Sequence, residues 1–508
     1  MVLGTATFCA HLFGACHARH VIRILIDTPA RSDIRYAGAI ALLVSSFFFL
    51  FSNPGLAYSI VPDSLTIAAI EITGNKTTRR EVVLREILVE EGQRIAAKDL
   101  KALLAESHRL LQNTTLFLSS VVEPCNASGD SVSICVRVRE AWYIYPVVIF
   151  ELADRNFKIW WKDQNASLER VNYGIYVNHF NLTGRRDLLK LKFQHGYSQK
   201  YDLSYDLQQL PGQPNWGAGF SVSYQRNHEV QYNTIADKQL FYKDDSEWVG
   251  KKLTSSLFVS YRPGVIWRHR LAANFRSIQV DSLIVHVLNP NYFAQPTRSI
   301  RFLSLNWQSR MDRLVDRPYP FRGYALQWEM VKEGFGVWTN RDRWWASIGG
   351  QFYLPTGRQQ GFEWIGRIRG HLQRQNMGFF EYNALGYGND VLRGYEKYTL
   401  DGLDFAYVKM GWRTNLFSYE VPMPMPNWPV LNNVRCMPFQ IYGSVYSDHG
   451  FVNDPFNAGG NRLRNRLLSS VGVGLDFRFY FDKILYVMWS FNQLGENGLF
   501  LQTKISFR

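Results

Sequence analysis

From Tyr145 onward the chain is written in short runs in which apolar and polar residues alternate. Trp216, Ala218, Phe220, Val222 and Tyr224 interleave with Gly217, Gly219, Ser221, Ser223 and Gln225. Leu253, Leu257, Val259 and Tyr261 do the same with Thr254, Ser256, Ser260 and Arg262, and Leu303, Leu305 and Trp307 with Ser304, Asn306 and Gln308. Within 364–372 one face carries Arg367, Arg369 and His371. Period two is the period of a β-strand, so each run has one apolar and one polar face. Runs of about ten residues suit strands that cross a bilayer at a tilt. A soluble sandwich would use the same alternation with the apolar set turned inward.

Composition favours the membrane. Aromatic residues make up 15% of the 508-residue chain, mean hydropathy is −0.20, and apolar residues are spread out rather than gathered into helical spans. Sixteen strands are expected, from 145–151 to 498–508, with the eleventh near 362–373, the twelfth near 403–417 and the thirteenth near 436–446. The last strand places Leu501, Ile505 and Phe507 on one face, and Arg508 follows them.

The one continuous apolar stretch, 37–51, follows Arg31 and Arg35 and gives way to Asn53-Pro54-Gly55-Leu56-Ala57. That order reads as a secretory signal, so 1–57 is set aside as leader and signal peptide. The other reading is a membrane anchor, for which the run falls short of the roughly 20 residues a spanning helix needs. Removing Arg19, Arg23, Arg31 and Arg35 with Asp27 and Asp33 lowers the formal charge from +14 to +12. An exported chain of this charge would meet anionic lipid or lipopolysaccharide rather than nucleic acid. A basic, solvated lumen would account for the charge equally well.

Residues 63–144 read as a small α/β domain. Strand-like alternation in 65–73 ends at Gly74-Asn75, and Thr77-Thr78 offers an N-cap for a helix bearing Val82, Val83, Ile87 and Leu88. A second helix is expected over 98–112 from Leu100, Leu103, Leu104, Leu110 and Leu111, and strands over 117–123 and 131–138 close the unit. Cys125 and Cys135 flank the turn signal Ser128-Gly129-Asp130, which leaves open either a disulfide across a hairpin or two free thiols. Cys436 has no evident partner. No His or Cys spacing suggests a metal site or cofactor, and no nucleophile elbow, phosphate-binding glycine loop or catalytic carboxylate pair is evident, so the chain is not expected to be an enzyme. Asp312 and Asp316, beside a strand turn, read as solvated.

Two short motifs complete the reading. Leu392-Arg393-Gly394-Tyr395 sits in the long connection between the eleventh and twelfth strands, and Tyr446-Ser447-Asp448-His449-Gly450 sits on the thirteenth. An arginine partly removed from water needs a carboxylate, and a planar guanidinium holds one bidentately, so Arg393 is expected to contact Asp448.

The order β-α-α-β-β resembles a POTRA domain. With the two motifs and the sixteen strands, 65–508 resembles BamA/TamA-type outer-membrane assembly proteins of the bacterial surface antigen family. The resemblance implies a mainly β fold: an outer-membrane barrel over 145–508 behind one periplasmic POTRA-like domain, with the 392–395 loop folded into the lumen. It further implies that unfolded outer-membrane protein precursors are received at the small domain, through a sheet edge able to pair with an extended chain, and inserted at the seam between first and last strands. Accessory periplasmic proteins or lipoproteins are the expected partners. Space for a single POTRA domain favours a specialised member. The competing readings are a polypeptide translocator of the two-partner-secretion type and a passive porin.

Overall fold

In the small domain, β1 (Ser64–Thr73) turns Ile67 and then Ile70 into the core, because the strand changes phase at a bulge between them. The computed structural model that shows this describes residues 64–152, 165, 167–317, 319–339, 341–374, 377–422, 436–455, 461–479 and 483–505. The expected signal segment 1–57 and Phe507 lie outside the described residues, and the side chains of Cys436 and Ile505 lie outside the described side chains.

The domain continues as α1 (Arg80–Leu84), β2 (Arg94–Ala96), α2 (Ala97–Asn113), β3 (Phe117–Ser128) and β4 (Ser131–Glu140). Its sheet runs β2-β1-β4-β3, with β1 parallel to β4 and the other pairs antiparallel. Val82, Val83, Leu100, Leu104 and Leu111 from the helices close over Ile67, Ile70, Ile134 and Val136.

Two expectations need correction. The first helix is a short turn that ends before Ile87 and Leu88, and its N-cap is Arg79, without a side-chain cap. The backbone N–H groups of Thr77 and Thr78 donate to the carboxylate of Glu140 (3.0 and 2.6 Å), and the Thr78 hydroxyl is engaged by Tyr143 and Asn181 instead of capping the helix. The sheet has four strands, since three residues of β2 cover part of the β1 edge. The opposite edge, β3, lacks a second neighbour among the described residues.

Sixteen strands then form one antiparallel sheet: β5 (Ile144–Leu152), β6 (Val171–Phe180), β7 (Leu188–Gly196), β8 (Ser198–Leu207), β9 (Trp216–Asn227), β12 (Gly250–Tyr261), β13 (Trp267–Val280), β14 (Ser299–Asp312), β15 (Gly323–Glu333), β16 (Arg343–Gly357), β17 (Gln360–His371), β18 (Asp404–Pro422), β19 (Cys436–Asn453), β20 (Leu467–Phe479), β21 (Lys483–Asn492) and β22 (Asn497–Ile505). The hairpin β10 (Glu229–Ile235) and β11 (Lys238–Lys243) stands in the connection between β9 and β12, where no strand was expected.

The alternation resolves in favour of the barrel. Leu257, Leu271, Leu305, Ile348, Ile368, Val445, Val473 and Leu501 are exposed on the outer face. The in-register neighbours Arg268 and Arg310 turn the other way and line the inner end of the lumen. A row of exposed apolar side chains around a polar interior is stable in lipid and costly in water. Among the described residues no helix is long and apolar enough to cross a membrane. Strand length is uneven: β5 and β22 have nine residues each, β18 nineteen and β19 eighteen. Among the described residues no ladder joins β5 to β22.

The inner turns carry the small domain. Arg79 N–H donates to Gly184 O (2.9 Å), and Asn181 Nδ2 donates to Thr78 Oγ1 (2.8 Å), so the hydroxyl expected to cap α1 is engaged by the barrel.

Candidate functional site

The connection between β17 and β18 folds into the lumen instead of extending from it. Its apolar residues Ala384, Leu385, Leu392, Tyr395 and Leu400 pack with Phe405, Val452, Leu463 and Leu468 into a dry cluster inside the outer half of the barrel. Each large side chain buried this way contributes on the order of 1.5–3 kcal/mol, which offsets the entropy of ordering a long loop.

Arg393 stands at the tip. Its backbone N–H donates to Asp448 Oδ2 and its Nε to Oδ1, both at 3.0 Å, and Nη2 also donates to Oδ1. Asp448 is fully buried, so these three donors replace the water that the carboxylate has lost. The guanidinium carbon lies 4.0 Å from the centre of the Tyr446 ring, a cation–π contact. Burial works against the charge on Arg393, and Asp448 more than compensates, leaving its pKa raised.

The neighbours of Arg393 explain the rest of both motifs. Gly394 has φ 86°, and a Cβ there would stand 3.1 Å from Ser470 Cβ and 3.3 Å from Ser490 Cβ, so the position requires glycine twice over. Tyr395 is buried, and its hydroxyl donates to Ser469 O (3.0 Å). Leu392 fills the space above Gly450, where a Cβ would approach it to 2.5 Å. The tetrapeptide and Tyr446, Asp448 and Gly450 therefore form a single contact.

Several contributors carried no sequence signal of this role. Ser470 Oγ donates to Arg393 O (2.5 Å), Asn492 Nδ2 donates to Gly394 O (2.9 Å), and Glu363 Oε1 lies 3.8 Å from Arg393 Nη1. The inward run Ser470, Gly472, Gly474 on β20 was a legible hint of a crowded inner wall, since a Cβ at Gly472 would meet the Tyr446 ring at 2.4 Å. The β10–β11 hairpin also reaches the loop: Thr399 N–H donates to Asp237 O (3.0 Å). Farther out, Arg464 joins Asp401 of the loop (2.9 Å) to Asp454 (2.6 Å).

Glu396, two residues beyond Gly394, is less well provided for. Its Oε2 accepts from Gly394 N–H (2.8 Å), while Oε1 has no partner. Burial pushes its carboxyl up to about 7.

A second charged centre lies where the small domain meets the barrel. Glu86, just past α1, accepts from Arg262 through both terminal nitrogens, Nη2 at 2.9 Å, and from Arg186 Nη1 at 3.1 Å. Burial alone would raise the Glu86 carboxyl; Arg262 and Arg186 outweigh it and hold it at about 2. Asp312 is likewise paired rather than solvated, held by Arg310 (3.1 Å) and Arg317 (3.4 Å); Asp316 is exposed, as read, and is also held bidentately by Arg478 (2.8 and 3.0 Å).

Cys125 and Cys135 are joined as a disulfide with Cα atoms 5.6 Å apart. Cys125 is the extra residue of a bulge in β3, which brings it beside Cys135 although the ladder sets Glu123 opposite that residue. The barrel-end residue Leu501 faces outward on β22, opposite Val487 of β21.

Residues 65–141 match the family described as "POTRA: Surface antigen variable number repeat". No curated protein matches the chain in sequence. Among solved structures, CdiB from Escherichia coli has 10% identity and a TM-score of 0.50 over 90% of this chain and 93% of that one. BamA from Haemophilus ducreyi lacking POTRA domains 1–3 has 13% identity and a TM-score of 0.49 over 87% and 84%. CdiB from Acinetobacter baumannii has 14% identity and a TM-score of 0.49 over 88% and 74%. The matched domain and the sixteen-stranded sheet define the class by its architecture: a POTRA domain ahead of a sixteen-stranded antiparallel barrel.

Proposed function

We propose that the protein assists the assembly of other outer-membrane barrels, taking unfolded precursors at the POTRA domain and helping their strands into the bilayer at the β5–β22 seam. The observation that carries this reading is the seam itself. Its two strands are the nine-residue ends of the sheet, and no ladder joins them among the described residues. Strand edges left without a partner accept an extended chain by main-chain pairing, and the favourable folding of the client supplies the driving force without a catalytic centre. Periplasmic accessory proteins and anionic outer-membrane lipid are the partners this role calls for.

In this account Arg393 and Asp448 form a latch that keeps the loop inside the lumen. Polypeptide translocation through the lumen would require the loop to leave. Depletion of the protein followed by a survey of the outer-membrane proteome separates the readings. General loss of barrel proteins is the expected result. Loss of a single secreted polypeptide would support translocation, and altered solute uptake alone would support a pore.

A further inference from the structure

The lumen is also entered from the periplasmic side. The turn between β14 and β15 carries Tyr319 inward until it is fully buried against Tyr442 of β19 and Ile484 of β21. The Tyr319 hydroxyl donates to Asp476 Oδ2 of β20 (2.5 Å), and its ring lies 4.6 Å from that of Tyr442. These are inner-end positions of the strands that hold the outer loop, which contacts Asp448 on β19, Ser470 on β20 and Asn492 on β21. The loop and the turn therefore grip one stretch of wall from opposite ends. Asp448 and Tyr442 are six residues apart on one strand, a separation of about 20 Å.

The gap is spanned by Arg413 of β18. Its guanidinium donates to Pro320 O of the turn and stacks over Tyr319 (4.1 Å) and Phe321 (5.1 Å). Its Nη1 lies 3.5 Å from Glu363 Oε2, while the other oxygen of Glu363 faces Arg393 at 3.8 Å. Gly411 leaves room for that carboxylate, since a Cβ there would stand 3.0 Å from Glu363 Oε1. A cavity of 630 Å³ lies beside this chain, with Pro320, Glu363, Arg393, Arg413 and Asp476 among its lining residues. The turn is also tied to the POTRA domain, where Arg109 of α2 donates to Leu314 O (3.1 Å).

We propose that this turn is an inner plug, and that Arg413 and Glu363 are positioning residues that tie it to the loop, so that the loop keeps its place only while the turn keeps its own. A displacement of the POTRA domain would then reach the loop through Leu314, Tyr319, Arg413 and Glu363. The proposal rests on the latch reading of Arg393 and Asp448 and makes no use of a client.

The test uses the full chain in lipid nanodiscs, with Cys436 replaced by Ser and spin labels at Lys397→Cys and Leu494→Cys. These positions flank the bond from the Tyr398 hydroxyl to Glu496 and are close while the loop is docked. Tyr319→Ala and Arg413→Gln are each expected to lower the ratio of docked to undocked loop about tenfold, although Tyr319 lies at the other end of the lumen. Arg413→Lys is expected to fail as a rescue, because lysine keeps the charge and loses the planar fork and the stacking. Glu363→Gln together with Arg413→Gln should do no more than either alone, since both act through one carboxylate. An undisturbed short distance in Tyr319→Ala and Arg413→Gln, with a lengthened one in Arg393→Ala, would overturn the proposal. Should Tyr319→Ala fail to fold, Arg413→Lys decides by the same distance: a docked loop overturns the coupling and an undocked one supports it. Client insertion unaffected by a displaced loop would count against the assembly reading and leave this coupling standing.

Discussion

Asp448 and Glu86 are both buried carboxylates held by arginine, and they are provided for differently. Asp448 faces one arginine and receives three of its donors, the backbone N–H and the guanidinium Nε and Nη2, in a site closed by Gly394, Gly450 and Tyr446. Glu86 faces two guanidiniums, Arg262 and Arg186, with Arg85 close behind. The first is a close match fixed by shape, with Glu363 as a looser second neighbour of the same guanidinium. The second is an excess of positive charge held in place by one carboxylate. The loop is accordingly built to stay, and the POTRA junction is built so that one group decides whether it holds.

The largest effect is expected at the matched site. Removing one partner of a buried pair leaves the other charge uncompensated, at a cost of about 3–5 kcal/mol. Asp448→Ala should therefore release the loop, seen as a lengthened Lys397 to Leu494 label distance. Arg393→Lys should fall short of the native ratio because it cannot reproduce the fork. If Asp448→Ala left the loop docked, the contrast with the junction would fail.

At the junction, Glu86→Gln should separate the POTRA domain from the barrel and, through the turn at Leu314, weaken the docking of the loop less than Asp448→Ala does. The yield of a cysteine cross-link between positions 79 and 183 measures this. The pH sign follows from the lowered carboxyl: the folded value near 2 lies below the ordinary 4.5, so the contribution of Glu86 is complete above 4.5 and lost as pH falls through 2. Cross-link yield should hold from pH 7 to 5 and decline below that in the wild type. Decline already between pH 7 and 5 would assign the junction to another group.

Reduction of the Cys125–Cys135 bond should act on the small domain alone, lowering its unfolding free energy by about 2–3 kcal/mol as closure of a short loop predicts. Urea unfolding of the isolated signal from Trp142, with and without reductant, gives the value. An equal loss of barrel stability would show the two parts to be one cooperative unit.

The smallest effect sharpens the description of the loop. The Glu396 carboxyl, pushed up to about 7, binds its proton more tightly in the folded loop than in the unfolded chain. Docking should then weaken as pH rises from 4.5 through 7, and Glu396→Gln should remove that part of the dependence. A pH profile identical in wild type and Glu396→Gln would show that Oε1 finds a proton or partner by another route.

The barrel was legible because lipid enforces a repeated two-faced pattern, strand after strand, and the thirteenth-strand motif could be set opposite the loop once the strands were counted. Other features leave no periodic trace. The β10–β11 hairpin is short, and its alternation is confined to Val230 and Tyr232 among polar neighbours. Glu86 fell inside the expected first helix as an unremarked polar residue, since its meaning depends on Arg186 and Arg262, far away in sequence. Asp312 looked solvated for the same reason, and Thr78 looked like a cap because the partners of its hydroxyl, Tyr143 and Asn181, meet it only in three dimensions. Ser470, Asn492 and Glu363 are ordinary lumen residues until the loop is placed against them.

The central claim is that the docked loop is required for the insertion of client strands. It is tested most directly by purified protein in proteoliposomes, mixed with an unfolded outer-membrane barrel, with the rate of acquisition of heat-resistant fold as the readout. The account predicts acceleration by the wild type, near-background rates for Arg393→Ala and Asp448→Ala, and no further loss when the two are combined. Full acceleration by both single variants, with their loops shown to be undocked, would contradict it.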